Sequence, residues 1–167
     1  MKKLYLDQKE MKSYIECEEY FPLRVVYDKT SGNTDFVGFY FEDSGLLEFD
    51  VNRENNHIKQ MQLVNCEEYG FVDADALIPD DIEEGTLCIP LPSHNDCDIF
   101  YVTIFRDSVE ISISNEMAER YYKSGQVIFG ISSKGNLVSV LVTNMTDSEV
   151  EHVKNELDIA SSYNTAE

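Results

Sequence analysis

The side chains with the widest chemical reach in this chain are Cys88, His94 and Cys97, with Asp96 and Asp98 among them. Thiolates, imidazoles and carboxylates hold zinc, and a structural zinc takes four ligands, commonly with Cys pairs two to four residues apart. Here the spacing is Cys-x5-His-x2-Cys without a second pair nearby, and Cys17 or Cys66 would have to fold back to complete a set. The pattern predicts an apolar Cys88 inside a strand and a surface turn at 94–98, with no metal. A cysteine nucleophile needs a base, usually His, and a third group to hold that base. Of His57, His94 and His152, only His94 lies near a Cys, and the acidic surroundings would raise a thiol's pKa rather than depress it.

Carboxylates are more numerous. Asp73-Ala-Asp75 and Asp80-Asp81-x-Glu83-Glu84 are paired as calcium or glycoside chemistry would want them. An EF-hand loop needs regular ligand spacing and a central Gly, which are missing. Glycosidases use two carboxylates across a sugar cleft, a cleft often lined with Trp, and the chain has no Trp. Neither phosphate-cradling pattern, G-x-x-x-x-G-K-[ST] nor G-x-G-x-x-G, is present. The expectation is a non-enzymatic protein without a cofactor, whose acidic loop is a docking surface. Its residues are Asp73, Asp75, Asp80, Asp81, Glu83 and Glu84, with Glu67, Glu68 and Tyr69 nearby.

Charge distribution supports a docking role. Among 167 residues, 13 Lys and Arg oppose 32 Asp and Glu, a net charge of −19. Residues 60–105 contain 10 acidic residues and no Lys or Arg, so more than half of that excess lies in 46 residues. Phosphate backbones need cations to neutralise them, so direct binding to nucleic acid or to an anionic membrane is disfavoured. A basic partner is the natural complement, because opposite potentials speed encounter and reject wrong partners.

Cys-Glu-Glu-Tyr occurs twice, at 17–20 and 66–69. A repeat should extend beyond four letters; the flanks "FPLRVV" and "GFVDAD" diverge, so the match is a coincidence of a Glu-rich chain. The N-terminus has a basic start but an apolar run of only Leu4-Tyr5-Leu6, too short for a signal peptide. A cytoplasmic protein with reduced thiols is expected.

The elements that must position these residues are mostly strands. "LRVVYD" (23–28), "FVGFYFE" (36–42), "LLEFDV" (46–51) and "IKQMQLV" (58–64) are short, alternating and separated by polar turns, as in an antiparallel meander. The last is read with Lys59, Met61 and Leu63 on the face opposite Ile58, Gln60 and Gln62. Residues 70–85 read as a loop with a helical turn near Pro79. "TLCIPLP" (86–92) reads as an edge strand, "SHNDCD" as a turn, and "IFYVTIF" (99–105) and "VEISIS" (109–114) as strands. "SNEMAERYYKSG" reads as a helix, with Asn115 as N-cap and Gly125 as C-terminal glycine. "QVIFGIS" and "NLVSVLVT" form a hairpin around "SKG". Thr146 to Glu149 fits a capping box that opens a last helix with Val150, Val153 and Leu157 on one face. The "DQKEMKSYIE" segment fits helix or strand. The sum is an α+β protein: a mostly antiparallel curved sheet or half-barrel of about eight strands, two short helices, one domain over 1–160 and a frayed tail at 161–167.

In style, "GLLEFDVNRENNHIKQMQLVNCEEY" (45–69) resembles the strand-turn-strand segments of immunity proteins from bacterial polymorphic toxin systems, including contact-dependent growth inhibition. The resemblance extends diffusely over 23–144. It implies a cytoplasmic inhibitor that occludes the active site of a cognate toxin, often a nuclease with a basic cleft. Two other functions fit the same composition: a small-ligand or metal-binding domain cradled by the sheet, and an acidic mimic of nucleic acid that inhibits a DNA-binding protein.

Overall fold

The computed structural model describes residues 3–29, 32–90 and 93–165. Within them the chain forms fifteen strands and one helix, arranged as two large open sheets, a two-stranded ribbon and a C-terminal helix. Neither large sheet closes into a barrel.

The first large sheet contains part of the expected meander: the strands at 34–41, 45–52 and 58–66 pair in chain order, but the strand at 21–26 pairs with the one at 58–66 instead of its sequence neighbour. β3 (Phe21–Val26), β4 (Thr34–Phe41), β5 (Gly45–Asn52) and β6 (Ile58–Cys66) are joined by β2 (Tyr14–Glu18) on one edge and β10 (Ser93–Asp96) on the other, in the order β10-β4-β5-β6-β3-β2. Alternation is cleanest in β5, where Leu47, Phe49 and Val51 are buried and their neighbours are half-buried. In β6 it fails at the start, because a bulge between Asp50 and Val51 of β5 leaves both Ile58 and Lys59 buried. An extra residue resets which side chains face inward. Ile58 therefore belongs to the core, not to the polar face on which strict alternation puts it.

The second sheet has seven strands in the order β7-β11-β12-β15-β14-β13-β8. Its members are β7 (Tyr69–Phe71), β8 (Glu83–Glu84), β11 (Tyr101–Ile104), β12 (Val109–Ser112), β13 (Ala118–Ser124), β14 (Val127–Ser132) and β15 (Leu137–Val142). β13 replaces the helix expected at 115–125. It pairs antiparallel with β14, and Gly125 (φ +60°) turns the hairpin instead of ending a helix. β10 likewise replaces the turn expected at 94–98; its Ser93 to Asp96 run parallel to Val37 to Tyr40 of β4. Among the described residues nine strand pairings are antiparallel, and the three parallel ones each bring in a short edge strand: β7, β8 or β10.

The two sheets share one core. Phe49 of β5 packs edge-on against Phe39 of β4 (centroids 5.8 Å) and also meets Phe129 of β14 (6.3 Å). Two elements flank the sheets. On one side β1 (Tyr5–Asp7) pairs with β9 (Thr86–Cys88), continuing an arm tied down by Thr86 Oγ1 donating to the Lys9 carbonyl at 2.6 Å. Gly85 is required there, since an added Cβ would run into the Asp7 carbonyl. On the other lies α1 (Asp147–Thr165), packed chiefly on β3. Its capping box forms as expected: Glu149 N–H donates to Thr146 Oγ1 (3.2 Å) and Thr146 N–H to Glu149 Oε1 (2.9 Å). Val150, Val153 and Leu157 are buried. The helix continues through Thr165, so 161–165 are helical where fraying was expected. The "DQKEMKSYIE" segment resolves as strand from Tyr14 onward. No helix among the described residues is long and apolar enough to cross a membrane.

Candidate functional site

The cysteines and histidines do not converge. Cys88 lies in β9, in the two-stranded ribbon, while His94 and Cys97 lie at the β10 edge of the six-stranded sheet. Among the described residues no three His, Cys, Asp or Glu side chains are grouped as a metal site would need. Each histidine has a structural task. His57 Nε2 meets Asp7 Oδ2 at 2.8 Å and clasps β1 to the fold. His94 stacks on Tyr40 with centroids 4.4 Å apart, and its Nε2 is 3.2 Å from Asp96 Oδ1. His152 does not project freely from α1; its Nε2 is 3.0 Å from the Phe21 carbonyl.

Three of the four thiols are correspondingly inert, Cys17 being exposed. Burial pushes Cys97 up to about 12, with Asp98 and Asp96 adding to it. Burial does the same to Cys66, up to about 12, and to Cys88, up to about 11. A thiol with such a pKa is almost wholly protonated at neutral pH, which removes the nucleophile.

The carboxylates occupy a more informative place. β7 and β8 are the opposite edges of the seven-stranded sheet, and residues 72–82 connect them. Six inter-strand spacings amount to roughly 29 Å along the sheet. Eleven residues reach at most about 40 Å when fully extended. The connection therefore has limited slack: it bends at 73–74 and 80–81 but is otherwise extended, and the helical turn expected near Pro79 is absent.

This strap is fastened at both ends. Val72 N–H donates to the Ile104 carbonyl at 2.9 Å and Arg106 N–H to the Ala74 carbonyl at 3.0 Å. At the far end Gly85 N–H donates to the Lys123 carbonyl at 3.0 Å. The strand register between these anchors places Glu110, Leu141, Ile128 and Lys123 in one row. Ile128 and Leu141 lie outside the central core cluster and yet are only 3% and 5% exposed. A chain crossing at that level covers them. Consistent with this, Ala74, Ala76, Pro79 and Ile82 are half-buried, while Asp73, Asp75, Asp80 and Asp81 are exposed.

The strap's outer side carries a feature the sequence reading passed over. Leu77 is 94% exposed and Ile78 51% exposed, at the midpoint of the crossing. Their signal was an apolar pair bracketed by acids in a segment without helical or strand period. Comparison with protein-family models and with curated proteins returns no match to this chain.

The nine acidic-surface residues predicted from sequence are thus distributed rather than gathered. Asp73, Asp75, Asp80 and Asp81 line the strap. Glu83 and Glu84 form β8 at the far edge, and Glu67, Glu68 and Tyr69 lie at the near edge. Arg106 lies 3.7 and 3.8 Å from Asp73 and Asp75, and Lys123 lies 4.0 Å from Glu84. Among the described residues, Glu67, Glu68, Asp80, Asp81 and Glu83 have no Lys, Arg or His within 4.0 Å. Tyr69 is used internally: its hydroxyl donates to Asp158 Oδ1 at 2.7 Å, tying β7 to α1.

Proposed function

We propose that the protein is a non-enzymatic binding protein that neutralises a basic partner, in the manner of the immunity proteins its sequence resembles, by laying the acidic strap over the partner's active site. The observation that carries this reading is Leu77 and Ile78, exposed at the crown of the strap and bracketed by Asp73, Asp75, Asp80 and Asp81. Protein interfaces combine a desolvated apolar anchor with a polar rim. Complementary charge accelerates association, while the anchor slows dissociation. A strap held at both ends also loses little freedom on binding, which favours affinity. The buried thiols of Cys66, Cys88 and Cys97 and the scattered histidines support a role by occlusion over one by chemistry.

The test starts from the adjacent upstream reading frame. On this proposal it encodes a large secreted protein with a variable C-terminal domain. That domain arrests growth when produced alone, and co-production of the present protein restores growth through a stable complex. In that complex Asp80→Lys with Asp81→Lys slows association, most at low ionic strength, and Leu77→Ser speeds dissociation. A domain that is neither bound nor neutralised would overturn the proposal. Binding indifferent to all three substitutions would remove the strap from it.

A further inference from the structure

A cavity of about 680 Å³ opens at the other end of the molecule, away from the strap. β12 connects the two regions: it starts at Val109, just past the Arg106 anchor, and ends at Ser112, just before the cleft residues Ile113 and Ser114. The cleft lies where the β10 edge of one sheet meets the end of β12 and the β14–β15 turn of the other. Phe39, Ile113 and Leu137 contribute an apolar lining, each no more than 3% exposed.

The rim is polar in both senses. Asp98 Oδ2 accepts from Ser114 Oγ (3.2 Å) and from Asn115 N–H (3.4 Å), so Oδ1 keeps its acceptor capacity. Glu116 accepts from Asn136 Nδ2 at 3.2 Å and faces Lys134 Nζ at 3.6 Å. Lys134 offsets Glu116, and His94 lies 3.2 Å from Asp96, while Asp98 has no Lys, Arg or His within 4.0 Å among the described residues. Carboxylates still outnumber the single ammonium, which rejects anions.

We propose that this cleft binds a neutral polyhydroxylated ligand of mono- or disaccharide size. Small-ligand sites commonly enclose about 300–1,000 Å³, and the predominantly polar lining of this one suits a ligand rich in hydroxyls. Hydroxyls both donate and accept, and this rim offers acceptors at Asp98 and Glu116 beside donors at Ser114, Asn136 and Lys134. Phe39, Ile113 and Leu137 close the floor of the cleft, and the polar rim carries the recognition. The site is separate from the strap, so it stands whether or not the strap binds a partner.

The experiment is a titration of the full-length protein followed by backbone amide NMR. The probes are glucose, N-acetylglucosamine and maltose, with agmatine and inorganic phosphate as cationic and anionic controls. The expected result is saturable shifts confined to Asn95 through Asp98, Ser114, Glu116 and Asn136, at about millimolar affinity, with at least one sugar. Glu116→Gln and Asn136→Ala should each weaken that binding about fivefold, the loss of one net hydrogen bond. If either variant loses its dispersed spectrum, Ser114→Ala takes its place. No saturable shift with any of the three sugars would overturn the proposal, as would binding of agmatine or phosphate alone.

Discussion

At the residue scale, burial is the leading cause at most of the groups whose pKa is shifted, with hydrogen bonds leading at Asp7, Glu16 and Lys29. Cys66, Cys88 and Cys97 are held far above the ordinary thiol range by burial, while Cys17, raised by partial burial and by Glu149, is exposed on β2 and open to reagent. At pH 8 a thiol of pKa about 12 is ionised to roughly one part in ten thousand. Brief treatment with iodoacetamide should therefore add one adduct, at Cys17, in the native protein and four after denaturation, as read by mass spectrometry. Glu110, in the row of side chains beneath the strap, is also raised by burial. Below its ordinary value of 4.5 it is protonated whether the chain is folded or not. Above its folded value the fold must carry a poorly solvated carboxylate, so stability falls as pH rises through that window. Glu110→Gln should raise the Tm at pH 7 by roughly 2 °C, and the gain should vanish below about pH 4, measured by thermal unfolding at both values.

At the element scale, local signals were legible and non-local ones were not. The pairing of β3 with β6 rather than β4 is a non-local choice that no local pattern announces. Only β5 alternates cleanly, but the four strands from Phe21 to Cys66 all form and show their turns within a few residues. The helix start at Thr146 is equally local. Because that capping box satisfies the first free donors of α1, Thr146→Ala should cost about 1 kcal/mol, measured by urea unfolding. β13 was illegible for the opposite reason. Ala118, Glu119 and Arg120 are good helix formers between plausible caps, but pairing with β14 buries Tyr122 and Ser124 and overrides propensity. β7, β8 and β10 are two to four residues long and pair in parallel with strands distant in sequence, so no local pattern announces them. The candidate surface was half-legible for the same reason. Its acids are visible as a charge run, but their division between two sheet edges follows from pairings 30 or more residues apart.

At the scale of the whole molecule, a net charge of −19 on 167 residues means that folding works against self-repulsion. The excess is densest from residue 60 to 105, which the fold spreads over the strap, both edges of one sheet and the rim of the cleft. Added NaCl screens such repulsion. The midpoint of urea unfolding should therefore rise between low salt and about 0.5 M NaCl; a flat or falling midpoint would show that local ion pairs outweigh the collective field. Leu77 contributes to this surface without contributing to the fold. Leu77→Ser should leave the urea midpoint unchanged to within about 0.5 kcal/mol, which separates its proposed role at an interface from any role in stability.

The strap has a further consequence for the integrity of the sheet it crosses. β7 and β8 are the outermost strands of that sheet, and each is only two or three residues long. Exposed strand edges invite pairing with other chains. Here the same eleven residues that connect the two edges also hold both edge strands in place. A single proteolytic cut beside Leu77 would give each short strand a loose end and bare β11 and β13 together, turning two guarded borders into templates for aggregation.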